Sequence, residues 1–161
     1  ANAAVYQAAR QDPSLSGMGT TLVCLLAQGM DAIVGNIGDS RAYLIDEEGM
    51  RQVTHDHSLV AEMVRRGELS SREASRHPNK NVITRALGVE SNVSCDVFPL
   101  SLKKGQYVLL CSDGLTNEVS EPEIYYEVFQ SQAPERACDT LIEIARSRGG
   151  HDNITVVLAS F

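Results

Sequence analysis

The chain has 161 residues, 43% of them hydrophobic and 22% charged, with a formal net charge of −7. That length makes one domain the expectation, and the apolar content is ample for a core. The acidic balance and the absence of a long basic run argue against a nucleic-acid or anionic-membrane surface, and no apolar stretch resembles a membrane span or signal peptide.

Residues 1–10 read as a helix, with Val5, Ala8 and Ala9 on one face. No initiator Met and no capping residue precede it, so the expectation is a fragment or processed product that begins inside a helix. A loop dense in Gly, Pro and Ser follows at 12–19. Residues 20–27 are strongly apolar, 28–31 make a turn and 32–37 return, which predicts an antiparallel hairpin. Gly38-Asp39-Ser40-Arg41 then interrupts the pattern before another strand at 42–45. Asp39 therefore sits in a tight kink beside a glycine. A hairpin turn and a deliberately placed carboxylate are both open there. Glu47-Glu48-Gly49 closes a further turn, and 51–53 make a short edge strand.

The character changes at Thr54-His55-Asp56-His57-Ser58, which leads into an amphipathic helix bearing Leu59, Val60, Met63 and Val64 and stopped by Gly67. His55-Asp56-His57 has the look of a loop metal site. Its spacing suits capping of the helix by Asp56 just as well, and capping is the preferred reading. Ser70 and Glu73 form a capping box for a second short helix ending near His77-Pro78. The segment 57–79 is polar and short-helical, and reads as a flap over a sheet edge. Strands are predicted at 81–87 and at 93–98, the latter with Val93, Cys95 and Val97 on one face.

Lys103-Lys104-Gly105 turns into the apolar run 107–111, which ends abruptly at Ser112-Asp113-Gly114. Ser120 and Glu123 make a second capping box, with Pro122 in the first turn of a helix. Pro134 opens another helix, with Ala137, Cys138, Leu141, Ile144 and Ala145 as its apolar stripe and Gly149 as its stop. Gly149-Gly150-His151-Asp152-Asn153 then opens a last strand over 153–161. The cysteines Cys24, Cys95, Cys111 and Cys138 are scattered without a CxxC pair, and buried free thiols of a reducing cytosol are expected.

Three aspartates, Asp39, Asp113 and Asp152, stand at strand ends beside Gly or Asn. If the strands at 107–111 and 153–161 are antiparallel neighbours, Asp113 and Asp152 reach one sheet edge. No Ser or Cys nucleophile elbow, P-loop or dinucleotide fingerprint is present in the sequence. Isolated carboxylates of this kind suit Mg²⁺ or Mn²⁺, and two such ions can share and acidify a water.

The ordered set Gly17-Met18-Gly19-Thr20-Thr21, Ile37-Gly38-Asp39-Ser40-Arg41, Asp56-His57-Ser58, Ile83-Thr84-Arg85-Ala86-Leu87-Gly88, Cys111-Ser112-Asp113-Gly114-Leu115 and Gly150-His151-Asp152-Asn153-Ile154-Thr155 resembles the bacterial branch of the metal-dependent protein phosphatases of type 2C. The resemblance implies one catalytic domain over 1–161, of α+β class. Its fold would be a four-layer α-β-β-α sandwich of two antiparallel sheets flanked by helix pairs, incomplete at its N-terminus. It implies hydrolysis of phosphoserine and phosphothreonine by a water bridging two Mn²⁺ or Mg²⁺ ions, in opposition to bacterial Ser/Thr kinases. Asp113 and Asp152 match ligands of the main pair of ions, and Asp39 and Asp113 match the holders of a third. The flap 57–79, with His77 and Asn81, matches the segment implicated in substrate choice. Phosphorylated proteins, a Ser/Thr kinase among them, are the implied partners of a cytoplasmic monomer.

The chain also departs from the family. The Arg, Asn-Glu-Asp and Asp-Gly-Met-Gly-Gly motifs with which the family begins are not in this sequence, so it resembles the C-terminal two-thirds, and these residues alone are expected to be inactive. Two rivals stand beside this reading. One is a non-catalytic remnant that binds a partner; the other is a phosphatase dedicated to one small regulatory protein.

Overall fold

Two kinds of strand appear, and burial explains the difference. Strand β3 (Arg41–Asp46) is a continuous apolar run because both of its faces are covered. Ala42 and Leu44 point into one core cluster with Val34 and Val108, while Tyr43 and Ile45 point into a second with Leu109, Leu115 and Leu141. Strand β6 (Tyr107–Cys111) has the same two-sided burial. Each fully buried Leu or Ile contributes about 2 kcal/mol of transfer free energy, so these central strands anchor the fold.

The computed structural model describes residues 1–131 and 133–161. Strands β1 (Leu22–Gln28), β2 (Asp31–Ile37) and β5 (Asp96–Ser101) form one antiparallel sheet in the order β1-β2-β5. Strands β4 (Gly49–Gln52), β3, β6 and β7 (Val156–Ser160) form the other, in the order β4-β3-β6-β7. The first core cluster lies between the sheets. The second lies under helices α5 (Glu121–Gln130) and α6 (Pro134–Ser147), which bury Ile124, Val128, Ala137, Leu141 and Ala145 against the four-stranded sheet. The outward face of the three-stranded sheet carries Leu26, Ile33 and Val97, which are 72%, 45% and 59% exposed.

Much of the expected order is present. Helix α1 (Asn2–Gln11) packs Val5 against Gly88, whose φ of +86° and close approach leave no space for a Cβ. Asn2 accepts the Gly88 N–H at 2.8 Å and donates to the carbonyls of Glu90 and Ser91. The β1–β2 hairpin is formed, and both capping boxes are made as predicted. Ser70 caps α3 (Ser71–Ala74) with Glu73, and Ser120 caps α5 with Glu123.

Four expectations need correction. Residues 81–87 are not a strand: among the described residues their strand pairing is limited to two isolated bridges, Ile83 to Ser58 and Leu87 to Thr20, and Val82 and Ile83 stay exposed. Helix α2 (Leu59–Arg65) is capped by Ser58, which accepts the Ala61 N–H, because Asp56 is held by Arg41. Strand β5 starts at Asp96 and turns Phe98 and Leu100 inward, which leaves the face of Cys95 and Val97 outward. The cysteines are free, but only Cys111 is buried; Cys24 and Cys95 are exposed and Cys138 is half-buried.

Candidate metal centre

Strands β6 and β7 are antiparallel neighbours, with Cys111 opposite Val156, so Asp113 and Asp152 do lie at the same sheet end. Ser112 stitches the two strand ends together. Its hydroxyl donates to the Asn153 carbonyl at 2.9 Å and accepts the Thr155 N–H at 3.0 Å, while its own N–H donates to the Thr155 carbonyl at 3.1 Å. Asp113 is the first residue of a one-turn helix, α4 (Asp113–Thr116), with Ser112 at the N-cap position. Gly114 is required there for its small size: a Cβ would collide with the Asn153 carbonyl. Asn117 donates to the Asp113 carboxylate at 3.2 Å.

The third aspartate arrives from the other sheet. Gly38, Asp39 and Ser40 carry the chain from β2, in the three-stranded sheet, to β3, in the four-stranded one. The Gly38 φ of +106° is a left-handed conformation that only glycine adopts freely, and the Thr21 side chain fills the space a Cβ would need. The hairpin alternative for this kink is therefore replaced by a crossover between sheets. Next to it, Arg41 clamps Asp56 with Nε at 3.0 Å from Oδ1 and Nη2 at 2.7 Å from Oδ2, and gives Nη1 to the Tyr43 hydroxyl. Gln52 adds a further donor to Asp56 at 2.8 Å.

Electrostatics ties the aspartates to one another. Burial, with the charge of Asp113 adding repulsion, pushes the Asp39 carboxyl up to about 6. Burial, reinforced by Asp152, likewise raises Asp113 above the usual carboxylate range. Asp113 is thus the shared member of two neighbouring pairs, Asp39 with Asp113 and Asp113 with Asp152. Among the described residues no three acidic, His or Cys side chains converge on one point. Carboxylates held in this frustrated state, with oxygen donors only, fit a hard divalent cation, which relieves the repulsion. Cys111 is no competing nucleophile, since burial pushes its thiol up to about 12.

Asp39 and Asp113 open on a cleft of about 660 Å³ that is also walled by Asp56, Lys80, Asn81 and residues of α2 and α3; Asp152 is not on its wall. Asn81 lies on the cleft wall. His77 is not on its wall; its Nδ1 accepts the Asn79 N–H at 3.1 Å.

The protein phosphatase 2C family model matches residues 2–154. The chain belongs to that family. It is 45% identical over 150 residues to the serine/threonine phosphatase stp of Listeria innocua, covering 93% of this chain and 60% of that protein. It is 44% identical over 151 residues to the protein phosphatase PhpP of Streptococcus pneumoniae, covering 93% and 61%. The serine/threonine phosphatase Stp1 of Staphylococcus aureus superposes with a TM-score of 0.95 at 38% identity, over 99% of this chain and 63% of that one. The catalytic domain of the phosphatase PstP, solved in complex with two manganese ions, superposes with a TM-score of 0.88 at 36% identity over 99% and 66%. The chain therefore spans about three-fifths of the length of these relatives.

Within this 2C-family chain, two groups of site residues escaped the sequence reading. The Arg41–Asp56–Gln52 cluster escaped because pairing across 15 residues has no local signature. Ser112 escaped because a serine before an aspartate reads as a simple helix cap. The useful signal was the Gly-Asp-Ser-Arg run itself, where an Arg two positions past a buried carboxylate invites a search for its partner.

Proposed function

We propose that this chain supplies part of the metal-binding centre and the substrate-facing flap of a metal-dependent protein serine/threonine phosphatase. The observation that carries the proposal is the joining of Asp113 and Asp152 at the stitched ends of β6 and β7, in a chain of the 2C family. The activity belongs to the intact protein, since the chain spans 60% of its Listeria relative. Asp113 and Asp152 would hold the main pair of Mn²⁺ or Mg²⁺ ions, and Asp39 with Asp113 a third. When bound, such a pair supplies an activated water and a grip on the phosphoryl oxygens.

The chain's own residues do the positioning. Ser112 fixes the distance between the two carboxylate-bearing loops, and Asn117 orients the Asp113 carboxylate. The flap roofs the cleft and presents Lys80 and Asn81 to an arriving phosphoprotein. The proposed substrates are phosphorylated proteins, a Ser/Thr kinase among them, met by a monomer in the cytoplasm.

The test uses the intact protein. Asp113→Asn and Asp152→Asn should each lower Mn²⁺-dependent hydrolysis of p-nitrophenyl phosphate and of a phosphothreonine peptide by about 100-fold or more, with melting little changed. Near-normal turnover at saturating Mn²⁺ in either variant would reject the assignment. An intact parent protein that folds and binds a partner but shows no metal-dependent turnover would favour the non-catalytic remnant.

A further inference from the structure

His57 is buried, 3% exposed, at the stem of the flap. Its Nδ1 lies 2.9 Å from the Gly38 nitrogen. A backbone N–H can only donate, so Nδ1 is the acceptor and the ring proton sits on Nε2. Nε2 in turn donates to Asp96 Oδ2 at 3.0 Å, and Asp96 Oδ1 accepts Arg85 Nη1 at 2.6 Å. Hydrogen bonds from His57 and Arg85 hold the Asp96 carboxyl below its ordinary range. Four residues from four separate stretches of sequence thus form one chain: Arg85, Asp96, His57, Gly38.

The same histidine also grips Gly38 through its backbone. The His57 N–H donates to the Gly38 carbonyl at 3.0 Å, and Asn36 Nδ2 donates to that carbonyl at 3.3 Å. That carbonyl belongs to the peptide that leads into Asp39. The His57 carbonyl accepts the Thr84 N–H at 2.8 Å, where the chain leaves the flap. The kink bearing Asp39 and both stems of the flap are therefore hung from one residue. Thr21 blocks Gly38 from the other side.

We infer that His57 is a positioning residue for Asp39, and that Asp96 and Arg85 hold its ring in the tautomer that task requires. The inference rests on the proposed reading of Asp39 as a ligand of the third, weaker ion. Outer groups that orient a ligand typically change metal affinity by about 10- to 100-fold. Here the effect is carried by the backbone, and the lower end of that range is expected.

Two substitutions separate the two ends of the ring. In His57→Asn the side-chain oxygen reaches the place of Nδ1, so the Gly38 N–H keeps an acceptor and the bond to Asp96 is lost. In His57→Gln the amide reaches the place of Nε2, so Asp96 keeps its donor and Gly38 loses its acceptor. Each is made in the intact protein and titrated with Mn²⁺, by calorimetry for the tight pair and by half-activation of p-nitrophenyl phosphate hydrolysis for the weaker ion. His57→Gln should raise the half-activating Mn²⁺ concentration about tenfold with the tight-site titration unchanged, and His57→Asn should recover to within about threefold of the parent. Equal shifts in both variants would reduce His57 to a merely structural residue and overturn the inference. No shift in His57→Gln, alongside a clear shift in Asp39→Ala, would overturn it too. No shift in Asp39→Ala itself would overturn the reading of Asp39 as a ligand, and the inference with it. Should His57→Gln fail to fold, Asp96→Asn carries the test. It preserves shape, weakens the hold on the ring, and should raise half-activation about threefold; an unchanged value would refute the relay.

Discussion

Gly114→Ala tests how closely the two carboxylate loops depend on each other. Gly114 lies in the helix α4 with ordinary helical backbone, so Ala is the better residue locally, by about 1 kcal/mol. The space, however, is taken. An added Cβ would lie 3.0 Å from the Asn153 carbonyl carbon and closer still to its oxygen. An ordinary carbon–oxygen contact needs roughly 3.3 Å or more, so the Asp152–Asn153 backbone must retreat by an appreciable fraction of an ångström. The neighbour is backbone, tied by Ser112 to β6, and cannot swing aside as a flexible side chain would. Overpacking of this kind costs about 1–3 kcal/mol, which the helical gain offsets in part, so net stability should fall by about 1 kcal/mol. The effect on chemistry should be far larger. Moving Asp152 away from Asp113 by on the order of 1 Å is the scale of misplacement that costs about 100-fold in rate. The assay is Mn²⁺-dependent hydrolysis of p-nitrophenyl phosphate by the intact protein, read beside a urea melt. A variant with normal turnover and normal metal dependence would refute the claim that this glycine sets the spacing of the carboxylates.

Two further outcomes follow from the geometry. The Asp39 carboxyl, pushed to about 6 against an ordinary 3.8, favours its protonated form in the fold. In the metal-free protein its stabilising contribution is therefore complete below about pH 4 and lost as pH rises through about 6. Asp39→Asn should equal the parent at pH 4 and exceed its stability at pH 7.5 by about 1–2 kcal/mol, allowing for the water that still reaches this half-buried group. A gap independent of pH would contradict this. Arg41→Lys keeps the charge but replaces a two-point grip on Asp56 with a single point and abandons the Tyr43 hydroxyl. Its urea midpoint should fall by the equivalent of about 1–3 kcal/mol at unchanged slope, and an unmoved midpoint would show that the clamp contributes nothing.

The features legible in the sequence are those whose cause is local. Ser70 with Glu73 and Ser120 with Glu123 announce their helices because both partners of each box lie three residues apart. The convergence of Asp113 and Asp152 was legible because each sits where an apolar run meets glycine or asparagine, and adjacency of the runs was the single assumption needed. Distant partners defeated the same reasoning. Asp56 looks like a helix cap until Arg41 claims it from β3. His57 looks like half of a loop metal site until Gly38 and Asp96 occupy both ring nitrogens. Residues 81–87 carry Val82, Ile83 and Leu87 before the turn glycine Gly88 and so read as a strand, yet among the described residues they find only single bridges and no ladder. At Gly38, a positive φ serves a hairpin and a crossover equally, so the sequence alone did not choose between them.

That crossover has a consequence for how the molecule assembles. The β1–β2 hairpin joins residues close in sequence and can form early, whereas β3 must find β6, with Arg41 opposite Cys111, a contact that closes a long loop. Asp39 lies on the hinge between these events, so its approach to Asp113 exists only once both sheets are in place. A cation bound across them would then stabilise the finished sandwich without helping any half-built precursor. Its kinetic mark would be slower unfolding at an unchanged folding rate, as expected for contacts that form after the transition state.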